Sequence, residues 1–148
     1  MKNAVFLHRS FFNRHLLKSL FVLTIWLCLE SSAHAAPLKK WTSTSSTDWN
    51  VAANWTPAAV PTTADSVIIS FATVNPVINS GVTAHAHNIF IISSALTING
   101  GGSLIVEGSY FSYGFALSNS TVNNSGVMTV KRGFNGMDIS TSAVFNNF

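Results

Sequence analysis

The segment Leu96–Val106 has the sequence LTINGGGSLIV, and it returns in altered form as TVNNSGVMTV at Thr121–Val130. A third, partial copy begins at Ser142. When their aliphatic residues are aligned, the copies follow one another at intervals of 24 and 22 residues. A period of this length predicts stacked supersecondary units, each of which completes its core against its neighbours.

Stacking of these units would align like side chains in columns. The expected columns are Ile98, Val122 and Val144 facing inward, Val106 and Val130 also facing inward, and a turn ladder of Asn124 above Asn146. Side-chain amides in such a ladder can hydrogen-bond to one another. The glycines Gly100–Gly102 precede Ser103. No carboxylate follows them, as a calcium-binding repeat would need, and no Lys-Ser/Thr pair follows, as a phosphate-binding loop would need. They therefore predict a tight turn.

Short β-branched runs separated by Gly, Asn and Ser turns predict an all-β chain in which helix is nearly absent after the N-terminal segment. The expected strands are 65–71, 77–79, 88–92, 95–99, 103–107, 110–117, 121–123, 127–131, 137–139 and 143–145. Residues 36–64 show no strand or helix period and contain Trp41, Trp49 and Trp55, so we expect an irregular cap whose tryptophans plug the end of the core. Residues 65–148 would then form the coils.

Two architectures fit this pattern. A parallel β-helix, or solenoid, explains the repetition of like residues from coil to coil. An antiparallel β-sandwich also has short strands and frequent turns, and Asn-Gly or Asn-Ser turns are common in hairpins.

Residues 1–35 have the composition of a secretory signal peptide. Four basic residues precede the apolar run from Leu20 to Leu29, and Ala33 and Ala35 supply small residues before an expected cleavage between Ala35 and Ala36. The apolar run is about half the roughly 20 residues that span a bilayer, so we expect no transmembrane helix in the mature chain. The expected localisation is secreted or on a bacterial outer surface.

Removal of this segment changes the charge of the chain. The formal charge of +3 belongs to the leader, and four basic residues then face four acidic ones. The basic pI of the precursor therefore gives no reason to expect nucleic acid as a partner. The single cysteine, Cys28, also lies in the leader, so no disulfide is expected.

The segment from Trp41 to Ile69 carries a W…DW…NW…VP…DVI pattern that resembles the opening module of large bacterial secreted and outer-surface proteins. The Asn/Gly/Val repeats that follow resemble, more loosely, those of adhesins and autotransporter passengers. The resemblance implies a right-handed parallel β-helix with an N-terminal cap. It also implies a longer protein, of which this chain would be an N-terminal fragment, and an open C-terminal edge at which we expect self-association.

The candidate sites are few. Tyr110, Phe111, Tyr113 and Phe115 are candidates for stacking on sugar rings. His85 and His87 lie on one face of an extended segment, but they lack a third ligand nearby, so we expect a solvent-facing turn and no metal site.

The acidic residues suggest structural roles. Asp48 and Asp65 are expected to bond backbone amides in turns of the cap. Glu107 and Asp138 are expected to form ion pairs between coils, with Lys131 and Arg132 nearby.

These observations favour an exported, non-enzymatic, adhesin-like segment that presents a rigid stack to glycans, matrix or cell surfaces, with no cofactor. The alternative is the N-terminal part of a polysaccharide-active β-helix enzyme, a glycosidase or lyase, whose catalytic coils lie elsewhere; such enzymes need paired carboxylates or an acidic calcium cluster. A small secreted sandwich of unknown role is a third interpretation.

Overall fold

The strands of this protein are short, and in nearly all of them alternate residues face inward. The computed structural model describes residues 36–108, 114–131, 137–140 and 142–148. The described strands are β1 (Leu38–Trp41), β2 (Trp55–Thr56), β3 (Ser66–Ser70), β4 (Val77–Ile78), β5 (Thr83–Ala86), β6 (Asn88–Ile92), β7 (Ala95–Ile98), β8 (Ser103–Val106), β9 (Phe115–Ser118), β10 (Thr121–Asn124), β11 (Val127–Val130), β12 (Met137–Ser140) and β13 (Val144–Asn147). A 3-10 helix spans Ala52–Asn54.

The strands form three sheets whose members come from successive coils. Sheet A has the order β12-β9-β6-β3-β1-β2, sheet B the order β13-β10-β7-β4, and sheet C the order β11-β8-β5. All of these pairs are parallel except β1 with β2. The chain is therefore an all-β parallel solenoid of about three turns, and the antiparallel sandwich is excluded.

The core runs along the solenoid axis as columns of aliphatic and aromatic side chains. In sheet A, Val67 is in register with Ile89, and Ile89 with Phe115. Sheets B and C add Leu96 and Leu104, and all five of these residues are fully buried. Each coil thus covers the apolar face of its neighbour, which is the burial that a single coil could not supply.

The register corrects two of the three expected columns. Val122 pairs with Leu96 and Phe145, so Ile98 and Val144 do not share its column. The expected alignment of Ile98 with Val122 failed because the corner between β7 and β8 holds two more residues than the corner between β10 and β11. Two copies of the repeat that are aligned by their strands in sheet C, β8 and β11, are therefore out of register by two residues in sheet B, between β7 and β10.

The remaining columns follow the same register. Asn124 lies opposite Asn147, not Asn146, and Asn146 lies opposite Asn123. The amides do bond between coils, as expected: the Asn124 Nδ2 group donates to Asn147 Oδ1 at 2.7 Å, and Asn146 Nδ2 donates to Asn123 Oδ1 at 2.8 Å. The pairing of Val106 with Val130 is confirmed.

The cap is more regular than its sequence suggests. β1 adds to sheet A in parallel with β3, and β2 closes the N-terminal side of that sheet by antiparallel pairing. Trp41, Trp49 and Trp55 are 0–2% exposed, and the rings of Trp49 and Trp55 meet edge to face with centroids 4.7 Å apart. The expected tryptophan plug is confirmed.

The corner that joins sheet C to sheet A differs in length from coil to coil. One residue separates β5 from β6, whereas eight separate β8 from β9 and six separate β11 from β12. The registers of sheet A continue across these corners unchanged. The expected leader, 1–35, lies outside the described residues, and within the described part no helix has the length and apolar character to cross a bilayer.

Candidate functional site

One corner of the solenoid turns through left-handed backbone in every coil. Phe71, Ser93 and Asn119 follow β3, β6 and β9, and their φ angles are +49°, +47° and +48°. Ser142, which precedes β13, has a φ angle of +54°. The Phe71 N–H donates to the Ile92 carbonyl at 3.0 Å, and the Ser93 N–H donates to the Ser118 carbonyl at 3.0 Å. The corner is therefore held from one coil to the next.

Phe71 differs from the other members of this corner column. Asn tolerates the left-handed region comparatively well, whereas a bulky side chain there costs about 1–2 kcal/mol. Phe71 is also 75% exposed, so burial of its ring does not offset that cost. An exposed aromatic residue on a strained backbone makes this corner a candidate functional site.

Phe71 lies in a pocket of about 230 Å³, which we call the Phe71 groove and define as residues 40–44 and 70–73. The first segment contains the end of β1 and the residues after it, and the second contains the left-handed corner. The indole N–H of Trp41 donates to the Val74 carbonyl at 2.6 Å and ties the two segments together. The Ala72 N–H donates to Ser94 Oγ at 2.9 Å and fixes the corner to the next coil.

The polar groups of the groove divide into two sets. Ser43 Oγ donates to the Ser46 carbonyl at 2.6 Å, and the hydroxyls of Thr42 and Thr56 lie 3.1 Å apart. These hydroxyls shape the loop. The second set comprises Thr44, Ser70 and Thr73, whose hydroxyls make no hydrogen bond within the described part of the chain, and the exposed Lys40.

The outer face of sheet A extends the apolar surface away from the groove. Ile92, which is 38% exposed, is in register with Ser70, and Phe90 is in register with Ile68. Ile68 pairs in turn with Lys40. The groove thus combines an exposed ring, neighbouring aliphatic surface, hydroxyls and one ammonium group, on a backbone fixed by the solenoid.

The aromatic group predicted from sequence is not this site. Phe115 is fully buried in the inward column of sheet A, so its expected role in stacking on sugars is wrong. Its ring fills the core between coils because β9 places it opposite Ile89. Tyr110, Phe111 and Tyr113 lie outside the described residues.

The two histidines occupy a strand and a corner. His85 is half-buried in β5, where its Nδ1 atom is buried and has no hydrogen-bond partner among the described residues, and the His87 N–H donates to the Asp65 carbonyl at 2.7 Å. The expected turn is thus wrong for His85, which lies in a strand, while both histidines are half-exposed and alternate with the buried Ala84 and Ala86. The described residues contain no group of three or more potential metal ligands.

The carboxylates have local partners. Asp48 Oδ1 accepts the Asn50 N–H at 2.9 Å, and Asp65 Oδ2 accepts the Thr62 N–H at 2.8 Å, as expected of turn residues. Lys131 Nζ donates to Glu107 Oε1 at 2.9 Å between adjacent coils. The expected ion pairing between coils is confirmed for this pair.

Asp138 and Arg132 were also expected to take part in ion pairs between coils. Asp138 is half-buried in β12, in register with Ala116. Arg132 and the residues of the expected cleavage site up to Ala35 lie outside the described residues.

Sequence reasoning missed Phe71 because the residue continues the alternation of Val67 and Ile69 and so resembles an inward residue. The signal that identifies it is the comparison of coils. At the position two residues after the last inward aliphatic residue, the later coils have Ser93 and Asn119.

Comparison with known proteins identifies a family without an assigned activity. The model of the family described as "Domain of unknown function (DUF8693)" matches residues 40–140. The match runs from β1 to β12 and so includes both the cap and the coils. No significant match was found among curated proteins or among solved structures.

Proposed function

We propose that this chain, which belongs to the DUF8693 family, is an exported, non-enzymatic β-solenoid of the adhesin type that binds glycans through the Phe71 groove. The observation that carries the proposal is Phe71, an aromatic ring 75% exposed on left-handed backbone, which lines a pocket together with hydroxyls that have no partner among the described residues. Export is supported by the composition of residues 1–35.

Sugar rings suit this surface. A pyranose presents an apolar C–H face that packs on an aromatic ring, and hydroxyls around its edge that pair with serine and threonine side chains. Phe71 supplies the first kind of contact, and Thr44, Ser70 and Thr73 are placed to supply the second. The same combination would bind a matrix or cell-surface glycan weakly at one site.

The scaffold supports binding rather than chemistry. Asp48, Asp65 and Glu107 each have a partner within the fold, and the Phe71 groove is lined by no acidic residue. Glycoside hydrolysis uses two carboxylates that flank the bond to be cleaved. The groove therefore has the groups of a recognition site.

The test is binding to a panel of bacterial and host polysaccharides, with the Phe71→Asn variant as the comparison. Asn is compatible with the left-handed position, as Asn119 shows in the third coil, so the variant should unfold at the same or a higher temperature. Its affinity should fall at least tenfold, because a central aromatic contact is lost.

A matched control is Val127→Thr, which changes another exposed apolar residue, in sheet C. This variant should bind like the unmodified chain. If Phe71→Asn binds every panel member unchanged, or if no member binds the unmodified chain, the proposal is wrong.

A further inference from the structure

We infer that the Phe71 groove selects saccharides that carry an anionic group, and that Lys40 supplies the matching charge. This inference rests on the proposed glycan-binding function and names the class of ligand. The two adjacent lysines of β1, Lys39 and Lys40, have opposite orientations.

Lys39 and Lys40 alternate as strand residues do. Lys39 is buried in register with Val67, and its Nζ donates to the Pro57 carbonyl at 3.3 Å, so it belongs to the cap. Lys40 is exposed and lines the groove. Because successive side chains of a strand point to opposite faces, Lys39 packs into the cap and Lys40 lines the pocket.

The charge of Lys40 is not neutralised by its surroundings. It is in register with Ile68 on one side and Thr56 on the other, neither of which carries a charge. No carboxylate lies within salt-bridge distance of it in the described part of the chain, where the pair formed is Lys131 with Glu107. Lys40 is also the one ionisable residue that lines the groove.

An anionic sugar satisfies all of these groups together. Its ring packs on Phe71, its hydroxyls reach Thr44, Ser70 or Thr73, and its acidic substituent lies against the Lys40 ammonium. A lysine is a compact point charge without the fixed fork of an arginine. It therefore fits a carboxylate of a uronic acid or a sulfate ester, and the experiment distinguishes these two sources.

The experiment uses the full chain and three forms of one oligosaccharide: an oligouronate, its carboxyl-reduced neutral form, and a sulfated derivative of that neutral form. At low salt we expect the unmodified chain to prefer an anionic form over the neutral form by about fivefold, the upper range for an exposed ion pair. The preference should decline as salt is added. Whichever anionic form binds more tightly identifies the charged group.

Variants at Lys40 separate charge from packing. Lys40→Met should bind all three forms with the affinity that the unmodified chain has for the neutral form, and Lys40→Arg should keep the preference. Lys131→Met makes the same change in net charge at a residue that follows β11 and does not line the groove, so it should leave the preference intact.

The outcomes distinguish the two proposals. Binding that Phe71→Asn abolishes but that shows no anionic preference overturns this inference and leaves the proposed function standing. A preference that survives in Lys40→Met also overturns it. Failure of all three forms to bind the unmodified chain overturns this inference, and failure of the wider panel as well overturns both.

Discussion

Asn124 and Asn147 form a side-chain hydrogen bond of 2.7 Å between one coil and the next, in which Asn124 is the buried partner and Asn147 the exposed one. The column that contains them begins with Ile78 and Ile98, and Asn124 is 4% exposed. Asn124 Oδ1 also accepts the Gly126 N–H at 3.2 Å. An aliphatic core column thus continues as an amide column, and both ends of the Asn124 amide are bonded.

We predict that Asn124→Ala lowers the free energy of unfolding by about 1–3 kcal/mol, because it removes a buried amide that makes two hydrogen bonds, one to Asn147 and one to the Gly126 N–H. Asn123→Ala is the control, since Asn123 is half-exposed and bonds Asn146 on the outer side of the same strand. It should cost about 1 kcal/mol or less, because water can replace the lost partner. Urea denaturation measures both, and equal costs would contradict the inward assignment of Asn124.

Gly126 lies at a corner where no side chain fits. A Cβ atom there would clash with the carbonyl of Gly102 and lie 2.7 Å from that of Asn99. Gly126→Ala should therefore destabilise the fold by about 1–3 kcal/mol through overpacking. At Gly100 a Cβ would meet its nearest neighbour, the Ser125 carbonyl, at 3.7 Å, so Gly100→Ala should be neutral or slightly stabilising. Thermal denaturation of the two variants tests the corner geometry, which would be wrong if their order were reversed.

The tryptophan plug should account for a large part of the stability of the cap. Trp49 is fully buried, and its carbonyl accepts the indole N–H of Trp55 at 2.8 Å. Trp49→Ala should cost about 3–5 kcal/mol, the range for a large aromatic residue removed from a core. Val51→Ala, at an exposed position nearby in sequence, should change stability by about 0.5 kcal/mol or less. Comparable losses in the two variants, measured by denaturation, would show that Trp49 is not part of the core.

The strands β12 and β13 are the outermost described strands on one side of sheets A and B, and exposed apolar residues lie in or next to them. Ile139 and Val144 are 47% exposed, and Phe148 is 82% exposed. Because an exposed apolar edge pairs readily with another chain, we predict that the protein self-associates and that Val144→Lys reduces this association. Light scattering as a function of concentration measures the effect.

The control for that edge is Ile92→Lys, which places the same charge on the outer face of the central strand β6. It should leave association unchanged. A monodisperse monomer at all concentrations would contradict the prediction.

The sequence was most informative where local pattern and tertiary contact agree. The strand at Asn88–Ile92 was predicted with its observed bounds, because a β-branched and aromatic run there also faces the core. The turn at Gly100–Gly102 was also correct, and Gly101 has a φ angle of +81° that glycine adopts readily. In these places the residue types alone determine the backbone.

Strands that depend on their neighbours were missed. β5 has the sequence TAHA, whose alanines have little preference for strand, yet it pairs in full register with β8. β1, with the sequence LKKW, presents one lysine and one tryptophan to the interior, so it lacks the expected apolar alternation. Their extended conformation is determined by the coil beside them.

The candidate site could not be predicted from one coil alone. The pattern Val67, Ile69, Phe71 predicts three inward residues, and it is the left-handed backbone at Phe71 that turns the third one outward. Lys40 comes close to Phe71 through the parallel pairing of β1 and β3, about 30 positions apart in sequence. The sequence contains the residues that line the groove, but the strand register that brings the two segments together is visible only in the structure.

The unequal corners have a consequence for how relatives of this protein should be compared. Between β5 and β6 the chain needs one residue to turn, and between β8 and β9 it uses eight, yet Ile89 still meets Phe115 in register. What repeats is a set of inward side chains, and the number of residues between them varies. Two homologues can therefore share every core column while differing in length at each turn, and alignment at constant spacing would underestimate their relationship.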